Sequence, residues 1–173
     1  MASEIGVQTI QHTNGTDAMT IDSSGRVLFP ARPSWRVGIN GSQSMTQGSN
    51  GIEVINFTET TNTLQHLDGG CTLSGGKITV PVAGVYHASA IMRLDSLTAN
   101  TYHEMHIRHE TTGGTQTEIA YVISGNPATN YENATASVTV KMAANEKLLV
   151  SCFSADSSYT VAASANFSGF LVG

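Results

Sequence analysis

The chain has 173 residues, a formal net charge of −5 at pH 7 and only 12% charged residues, which suits one domain with a short extension and a surface of uncharged polar side chains. The acidic balance offers no basic patch and argues against a nucleic-acid partner. No apolar run reaches the ~18–20 residues that a membrane-spanning helix needs, so no membrane partner is expected.

The first segment of the chain predicts a β-hairpin arm. The runs AMTID and RVLF flank the turn SSG, in which Gly25 supplies the positive φ that a tight turn or bulge requires. Pro30 and Pro33 follow in FPARP, where proline stiffens the backbone and removes an amide donor. A lone hairpin is marginally stable in water, so the arm should dock on the body, on a neighbouring subunit or on another protein. We expect an arm over residues 1–33 and a body over residues 34–173.

The body predicts strands and no helices. KITVPV places Ile78 and Val80 on one face, and ASVTVKM places Val138, Val140 and Met142 on one face, which is the alternation of half-buried strands. Branched residues favour the pleated surface of a sheet. Turn clusters such as LDGG, SGG and TTGG separate these runs. Short strands at regular spacing predict an all-β sandwich or barrel.

The last eight residues, NFSGFLVG, form an uncharged and mostly apolar run at the end of the chain. Termini are usually loose and solvated unless they are packed, and an exposed apolar strand would be prone to aggregation. The run therefore predicts a central strand that is paired on both sides. Gly169 would permit the close approach of another backbone or ring.

Two stretches of the body resemble C1q-like domains, over roughly Pro33 to Gly173. The first runs from FTETTNT to VYHASAIMRL, and its matching positions are Phe57, Asn62, Ile78, Pro81, Gly84 and Tyr86. The second is the ending, where Phe167, Gly169 and Phe170 match the family's Phe-Ser-Gly-Phe-Leu. One departure is HASA after Tyr86, where the family usually repeats aromatic residues. The resemblance implies a two-sheet antiparallel jelly roll, shared with tumour necrosis factor, that usually assembles as a homotrimer.

The arm has a resemblance of its own. HTNGTDAMTIDSSGRVLFPARPSW is similar to N-terminal stretches of structural proteins of tailed bacteriophages. This implies a non-enzymatic virion protein, synthesised in the host cytoplasm, that decorates or cements the capsid surface as a trimer. Residues 1–33 would bind the major capsid protein or other virion proteins. The alternatives are a tail- or head-fibre tip that binds a host receptor or glycan, and a free C1q-like lectin. A short chain with its own Met1 and no repeats or shaft favours decoration.

The stretch YHEMHIRHE places three histidines close together, at His103, His106 and His109. A zinc-protease motif needs histidines four apart on a helix, with a glutamate directly after the first, and neither condition is met. On a strand, His103 and His109 share one face and His106 lies on the other. We expect polar positions on a sheet surface or at an interface. A metal or pH-sensitive contact in a trimer, and a receptor contact, are alternatives.

No motif predicts catalysis or a cofactor. Serine is abundant but no Gly-x-Ser-x-Gly elbow occurs, and no Gly-Lys-Ser/Thr follows the glycine-rich turns. Glu53 and Glu59 lie in a turn-rich region and Asp156 lies in a predicted loop, so nothing sets two carboxylates at a fixed distance.

Two aromatic residues and two cysteines complete the candidates. Trp35 and Tyr159 have rings that suit stacking on a sugar, although packing against the first body strand is the favoured role for Trp35. Cys71 and Cys152 match no metal motif. They predict two buried thiols, with a single disulfide as the alternative.

Overall fold

The computed structural model describes residues 6–15, 17–46, 53–58, 64–98, 100–126, 130–156 and 158–173. In chain order the strands are β1 (Thr9–Gln11), β2 (Asp17–Ile21), β3 (Val27–Leu28), β4 (Ser34–Gly38), β5 (Gln43–Thr46), β6 (Glu53–Val54), β7 (His66–Asp68), β8 (Thr72–Ser74), β9 (Lys77–Thr79), β10 (Gly84–Asp95), β11 (Thr101–Glu110), β12 (Gln116–Asn126), β13 (Tyr131–Met142), β14 (Lys147–Ser154), β15 (Ser158–Val161) and β16 (Asn166–Leu171). Within these ranges no helix has the length and apolar character needed to cross a membrane.

Two antiparallel sheets form the body. The first has the strand order β5-β15-β10-β16-β4-β7, and β13 also pairs with β10 along its whole length. The second has the order β12-β11-β14-β9-β8, and β6 also pairs with β14. The predicted all-β architecture of two antiparallel sheets is therefore confirmed.

The C-terminal strand β16 lies inside the first sheet. Its residues pair with β10 on one side and with β4 on the other. Hydrogen bonds continue beyond its end, because the Val172 amide donates to the Val85 carbonyl at 2.7 Å and the Val85 amide donates to the Gly173 carbonyl at 2.8 Å. The prediction that NFSGFLVG is an interior strand is confirmed, and its backbone groups are satisfied by neighbouring strands.

The core between the sheets is centred on four aromatic residues. The Trp35 ring lies 5.7 Å from Phe167 and 6.3 Å from Tyr86, and the Phe57 ring lies 5.8 Å from Phe167, measured between ring centroids. The Tyr86 hydroxyl donates to the Val82 carbonyl at 2.9 Å, so its polar atom is satisfied at the edge of the core. These distances suit aromatic pairs that pack edge-on or tilted.

The residues that carry the C1q-like resemblance have different surroundings. Phe57, Tyr86 and Phe167 are buried in the core, whereas Phe170 is 44% exposed on the outer face of the first sheet. Pro81 and Gly84 are half-buried near the start of β10. Asn62 lies outside the described residues.

The arm is a small sheet with the strand order β1-β2-β3. The predicted hairpin is confirmed by the pairing of β2 with β3, and Gly25 has a φ of 77° in its turn. The Asp22 carboxylate accepts hydrogen bonds from the amides of Ser24 and Arg26 at 2.9 and 3.0 Å, which fixes that turn. Strand β1 was not predicted from the sequence, because this part of the chain, which continues into HTNGT, shows no apolar alternation.

Both cysteines are buried free thiols, which confirms that prediction and excludes the disulfide. Burial, together with the nearby carboxylate of Asp68, raises the pKa of the Cys71 thiol to about 11. The Cys152 sulfur lies 3.3 Å from the Tyr159 hydroxyl. The surroundings of Cys71 are therefore unlike the electropositive sites that make cysteine reactive.

Candidate functional site

The arm joins the body through the C-terminal strand. The Arg32 guanidinium donates to the carbonyls of Leu171 and Val172 at 2.7 and 2.9 Å. The Leu171 amide donates to the Pro33 carbonyl at 2.9 Å. Since β16 is an interior strand of the first sheet, these bonds attach the base of the arm to a strand that is hydrogen-bonded on both sides.

The arm itself presents apolar side chains to solvent. Large hydrophobic residues that are between 42% and 55% exposed occur on or beside its two outer strands, β1 and β3, namely Val7, Ile10, Val27, Leu28 and Phe29. Beside the junction a cavity of about 460 Å³ is lined by Phe29 and Ala18 from the arm and by Val82 and Val172 from the body. Grouped apolar exposure of this kind marks a contact surface.

The outer face of the first body sheet also carries exposed apolar residues. Ile91 on β10, Phe170 on β16 and Tyr131 on β13 are 44%, 44% and 52% exposed. The rest of this face is polar, with the Arg93 guanidinium held by Asp95 at 2.7 Å. The three apolar side chains are spread along the sheet, since Phe170 is opposite His87 and Tyr131 is opposite Asp95, further along β10.

The three candidate histidines are held apart by the sheet. His103 is 1% exposed and faces the interior, and His106 is 3% exposed on the opposite face, so the expectation of a surface position is wrong for both. His109 is half-buried, and its Nε2 lies 2.9 Å from the Glu146 carboxylate. Each imidazole therefore has its own partners from neighbouring strands. Among the described residues, no three potential ligand side chains gather around a metal position.

His103 belongs to a buried polar cluster at one end of the sandwich. Its Nδ1 lies 2.9 Å from the Ser154 hydroxyl, and its Nε2 lies 3.2 Å from the Thr101 hydroxyl. Thr101 in turn donates to the Asp156 carboxylate at 3.2 Å, and the Thr98 amide donates to the same carboxylate at 2.9 Å. A serine and a histidine in contact resemble part of a catalytic triad, but Ser154 is completely buried. The cluster therefore joins strands and is closed to a substrate.

The pKa values of Asp156 and His103 are both lowered, but for different reasons. Burial raises the pKa of Asp156, but hydrogen bonds from Thr98 and Thr101 outweigh it and leave the pKa below its usual value. Burial lowers the pKa of His103, and the carboxylates of Asp156 and Glu132 oppose that effect without cancelling it. At neutral pH the imidazole is consequently neutral, and each ring nitrogen still has a hydroxyl neighbour.

A second buried charge lies at the other end of β11. The Glu110 carboxylate accepts from the Lys77 and Lys147 amines at 2.5 and 2.8 Å and from the Gln116 amide at 2.7 Å. Burial acts to raise the pKa of Glu110, but these three donors outweigh it and lower the pKa to about 2. The network connects β9, β11, β12 and β14, so it stabilises the second sheet.

The two aromatic candidates for sugar binding are unavailable to a ligand. Trp35 is 1% exposed and Tyr159 is 2% exposed, and both belong to the core. Trp35 was expected to pack against the first body strand, but it lies on that strand, β4, and its ring packs against Phe167 and Tyr86 in the core. Of the three carboxylates considered in the sequence, Asp156 is buried in the His103 cluster. The Glu53 side chain and Glu59 lie outside the described residues.

Comparisons with known proteins identify the fold of the body. No protein-family model matches the chain. No curated protein matches it. Among solved structures it is similar to Eiger TNF from S. frugiperda, with a TM-score of 0.61 and 11% identity, over 82% of this chain and 93% of that chain. The body is therefore a TNF-like jelly roll, which confirms the fold that the C1q-like resemblance implied.

Proposed function

We propose that this chain is a non-enzymatic structural protein of a phage virion, which forms a homotrimer through its jelly-roll body and binds the major capsid protein or other virion proteins through its arm. The observation that carries the proposal is the arm. It presents Val27, Leu28 and Phe29 to solvent, beside a body whose aromatic core is already closed. Apolar groups kept outside a finished core are explained by a partner that covers them.

The mechanism needs two different surfaces. The outer face of the first sheet, which exposes Ile91, Phe170 and Tyr131, is the surface we assign to contact between copies, and obligate interfaces commonly bury ~2,000 Å² or more in total. The short strand β3 lies at the end of the arm sheet, and no other strand of the described residues pairs with its outer edge. An open strand edge with apolar neighbours can add to the sheet of another protein. The phage assignment is supported by the resemblance of residues 12–35 to virion proteins.

A binding assay with purified phage heads that lack this protein tests the proposal. Removal of residues 1–33 should abolish head binding and leave the body folded as a trimer. Phe29→Ser should weaken head binding at least about tenfold, because a buried aromatic contact of 1.4 kcal/mol or more would be lost. Tyr121→Ser is the matched control, since Tyr121 is 59% exposed on the body, and it should bind as the unchanged protein does. Full head binding by the truncated chain would overturn the role of the arm.

A fibre tip that binds a host receptor or glycan is the second candidate. It is favoured by an exposed group on the second sheet, where Tyr102, Tyr121 and Ile123 are 48%, 59% and 54% exposed. The two functions differ in copy number and in competition. A decoration protein should occur in many copies per particle, whereas a receptor-binding tip should occur in few copies and should block infection when it is added as free protein.

A further inference from the structure

The outer face of the first sheet contains a depression lined by polar side chains, by one guanidinium and by an aromatic ring. It has a volume of about 410 Å³ and lies where β10, β16, β4 and β7 run side by side. The polar side chains that define it are Arg36, His66, His87, Asn166 and Ser168, and Phe170 forms an apolar wall. No carboxylate of the described part of the chain lines it.

Strand register places three polar groups of this depression, Arg36, His66 and Ser168, in one row. Arg36 is opposite Ser168 on one side and opposite His66 on the other, so a guanidinium stands between a hydroxyl and an imidazole. Asp68 lies opposite Ser34 in the next row, and its carboxylate lies 3.9 Å from Nε2 of His66 and is 58% exposed. That contact is long and exposed, and Asp68 forms no ion pair with Arg36.

Arg36 differs in this respect from two other arginines of the chain. Arg26 and Arg93 are each paired with an aspartate at 2.7 Å, so the charge of each guanidinium already has a counter-charge. Arg36 makes no ion pair with any residue that the structure describes. A guanidinium has five N–H donors in a planar fork that fits a carboxylate or phosphate through two parallel hydrogen bonds.

The aromatic wall stands in the next row of the same face. Phe170 is opposite His87, and their ring centroids lie 5.6 Å apart. The Nδ1 atom of His87 lies 3.1 Å from the Thr139 hydroxyl, so this contact orients the ring and leaves Nε2 to a ligand. A ligand whose flat or apolar part contacts Phe170 would have its charged end within the row of Arg36, His66 and Ser168.

We propose that this depression binds a small organic anion, in which one carboxylate or phosphate pairs with Arg36 and an adjoining ring contacts Phe170. A few convergent polar groups beside an apolar wall are the usual composition of small-molecule sites. The site is complete within one copy of the chain, so it does not rest on the proposed trimer. If the trimer covers this sheet, the anion supplies the counter-charge that a buried guanidinium requires.

Calorimetric titration of the full chain with benzoate tests the proposal. Benzamide, a neutral compound of the same shape, is the control ligand. Benzoate should bind with one site per chain, and benzamide should bind at least about tenfold more weakly because it lacks the charge-assisted pair. Arg36→Gln should weaken benzoate at least about tenfold. Arg93→Gln is the matched control, since Arg93 is on the same face but is already paired with Asp95, and it should stay within about twofold.

Phe170→Ala separates the apolar wall from the charge. It should weaken benzoate and leave the weaker binding of inorganic phosphate unchanged, since phosphate has no ring. Equal affinities for benzoate and benzamide, unchanged benzoate binding by Arg36→Gln, or no binding of either anion at millimolar concentration would overturn the site. Sedimentation of the same samples gives the oligomeric state independently, so benzoate binding by a single chain would support the site and count against the trimer.

Discussion

Gly169 and Trp35 lie opposite each other on adjacent strands, and the indole occupies the space where a side chain at position 169 would be. A Cβ atom built on Gly169 would meet two carbons of the Trp35 ring and the carbonyl oxygen of His87. The backbone of β16 therefore acts as one wall of the pocket for the single tryptophan of the chain. The close approach that the glycine in NFSGFLVG predicted is found in the centre of the core.

Gly169→Ala should lower the free energy of unfolding by about 2–3 kcal/mol, because neither the ring nor the backbone has room to move without strain. Urea unfolding, followed by the fluorescence of Trp35, measures the change. Gly125→Ala is the matched control, since Gly125 also lies in a strand and a Cβ there would meet nothing within 4 Å. It should change stability by less than about 0.5 kcal/mol. Equal stability of the two variants would contradict the packing described for Trp35.

Glu110→Gln should destabilise the protein by about 2 kcal/mol, because two lysines would lose the carboxylate that they share. Both lysines are partly exposed, so water replaces some of the lost interaction. Asp95→Asn, which breaks the more exposed pair with Arg93, is the control and should cost less than about 1 kcal/mol. Chemical unfolding at neutral pH measures both. A cost for Glu110→Gln no larger than that of the control would argue against a stabilising network.

Acid should unfold the protein partly through Glu110. The folded pKa of about 2 lies below the ordinary value of 4.5, so the unfolded chain takes up this proton first. The contribution of Glu110 is therefore complete above about pH 4.5 and is lost as the pH falls towards 2. Glu110→Gln should flatten the stability curve over this interval. An identical dependence on pH in the variant would contradict the assignment.

His103 should make the protein less stable as the solution becomes weakly acidic. Its pKa is lowered in the folded state by burial, so protonation favours the unfolded chain. The contribution is fully present above the ordinary pKa of 6.5 and declines as the pH falls below it. The free energy of unfolding, measured by urea at several pH values between about 7 and 5, should fall more steeply for the unchanged protein than for His103→Gln. Parallel curves would contradict the prediction.

Both cysteines should resist thiol reagents while the protein is folded. Each is buried, and the pKa of Cys71 is raised to about 11, so little thiolate forms at pH 8. Ellman's reagent should react slowly with the native chain and rapidly with two thiols per chain in guanidinium chloride. Rapid reaction of the native protein would show that one thiol is accessible.

The strands and their faces could be predicted because burial follows a period of two along a strand. Ile78 and Val80 are fully buried, and Met142 is buried while Lys141 beside it is exposed, as the alternation in KITVPV and ASVTVKM indicated. The run NFSGFLVG was informative for a different reason, because an uncharged and mostly apolar run is stable in water only when it is packed. These are local patterns, and local patterns were sufficient for the fold class.

The surroundings of single polar side chains could not be predicted, because they depend on which strands become neighbours. His106 is surrounded by the carboxylates of Glu104 and Glu118 and by the ring of Tyr121, whose centroid lies 6.2 Å from that of the imidazole. Glu118 and Tyr121 belong to β12, so they reach His106 only because β12 pairs with β11. Arg36 had no local signal either. Its candidate anion site is formed by four strands, β4, β7, β10 and β16, and a sequence method would need the strand register to find it.

The mass of the purified protein in solution tests the central proposal most directly. Sedimentation equilibrium at micromolar concentration should give about three times the chain mass of 18.2 kDa, with the same result at higher dilution, because an obligate interface holds the copies together. A single species of 18.2 kDa under these conditions would contradict a trimer formed through the jelly-roll body.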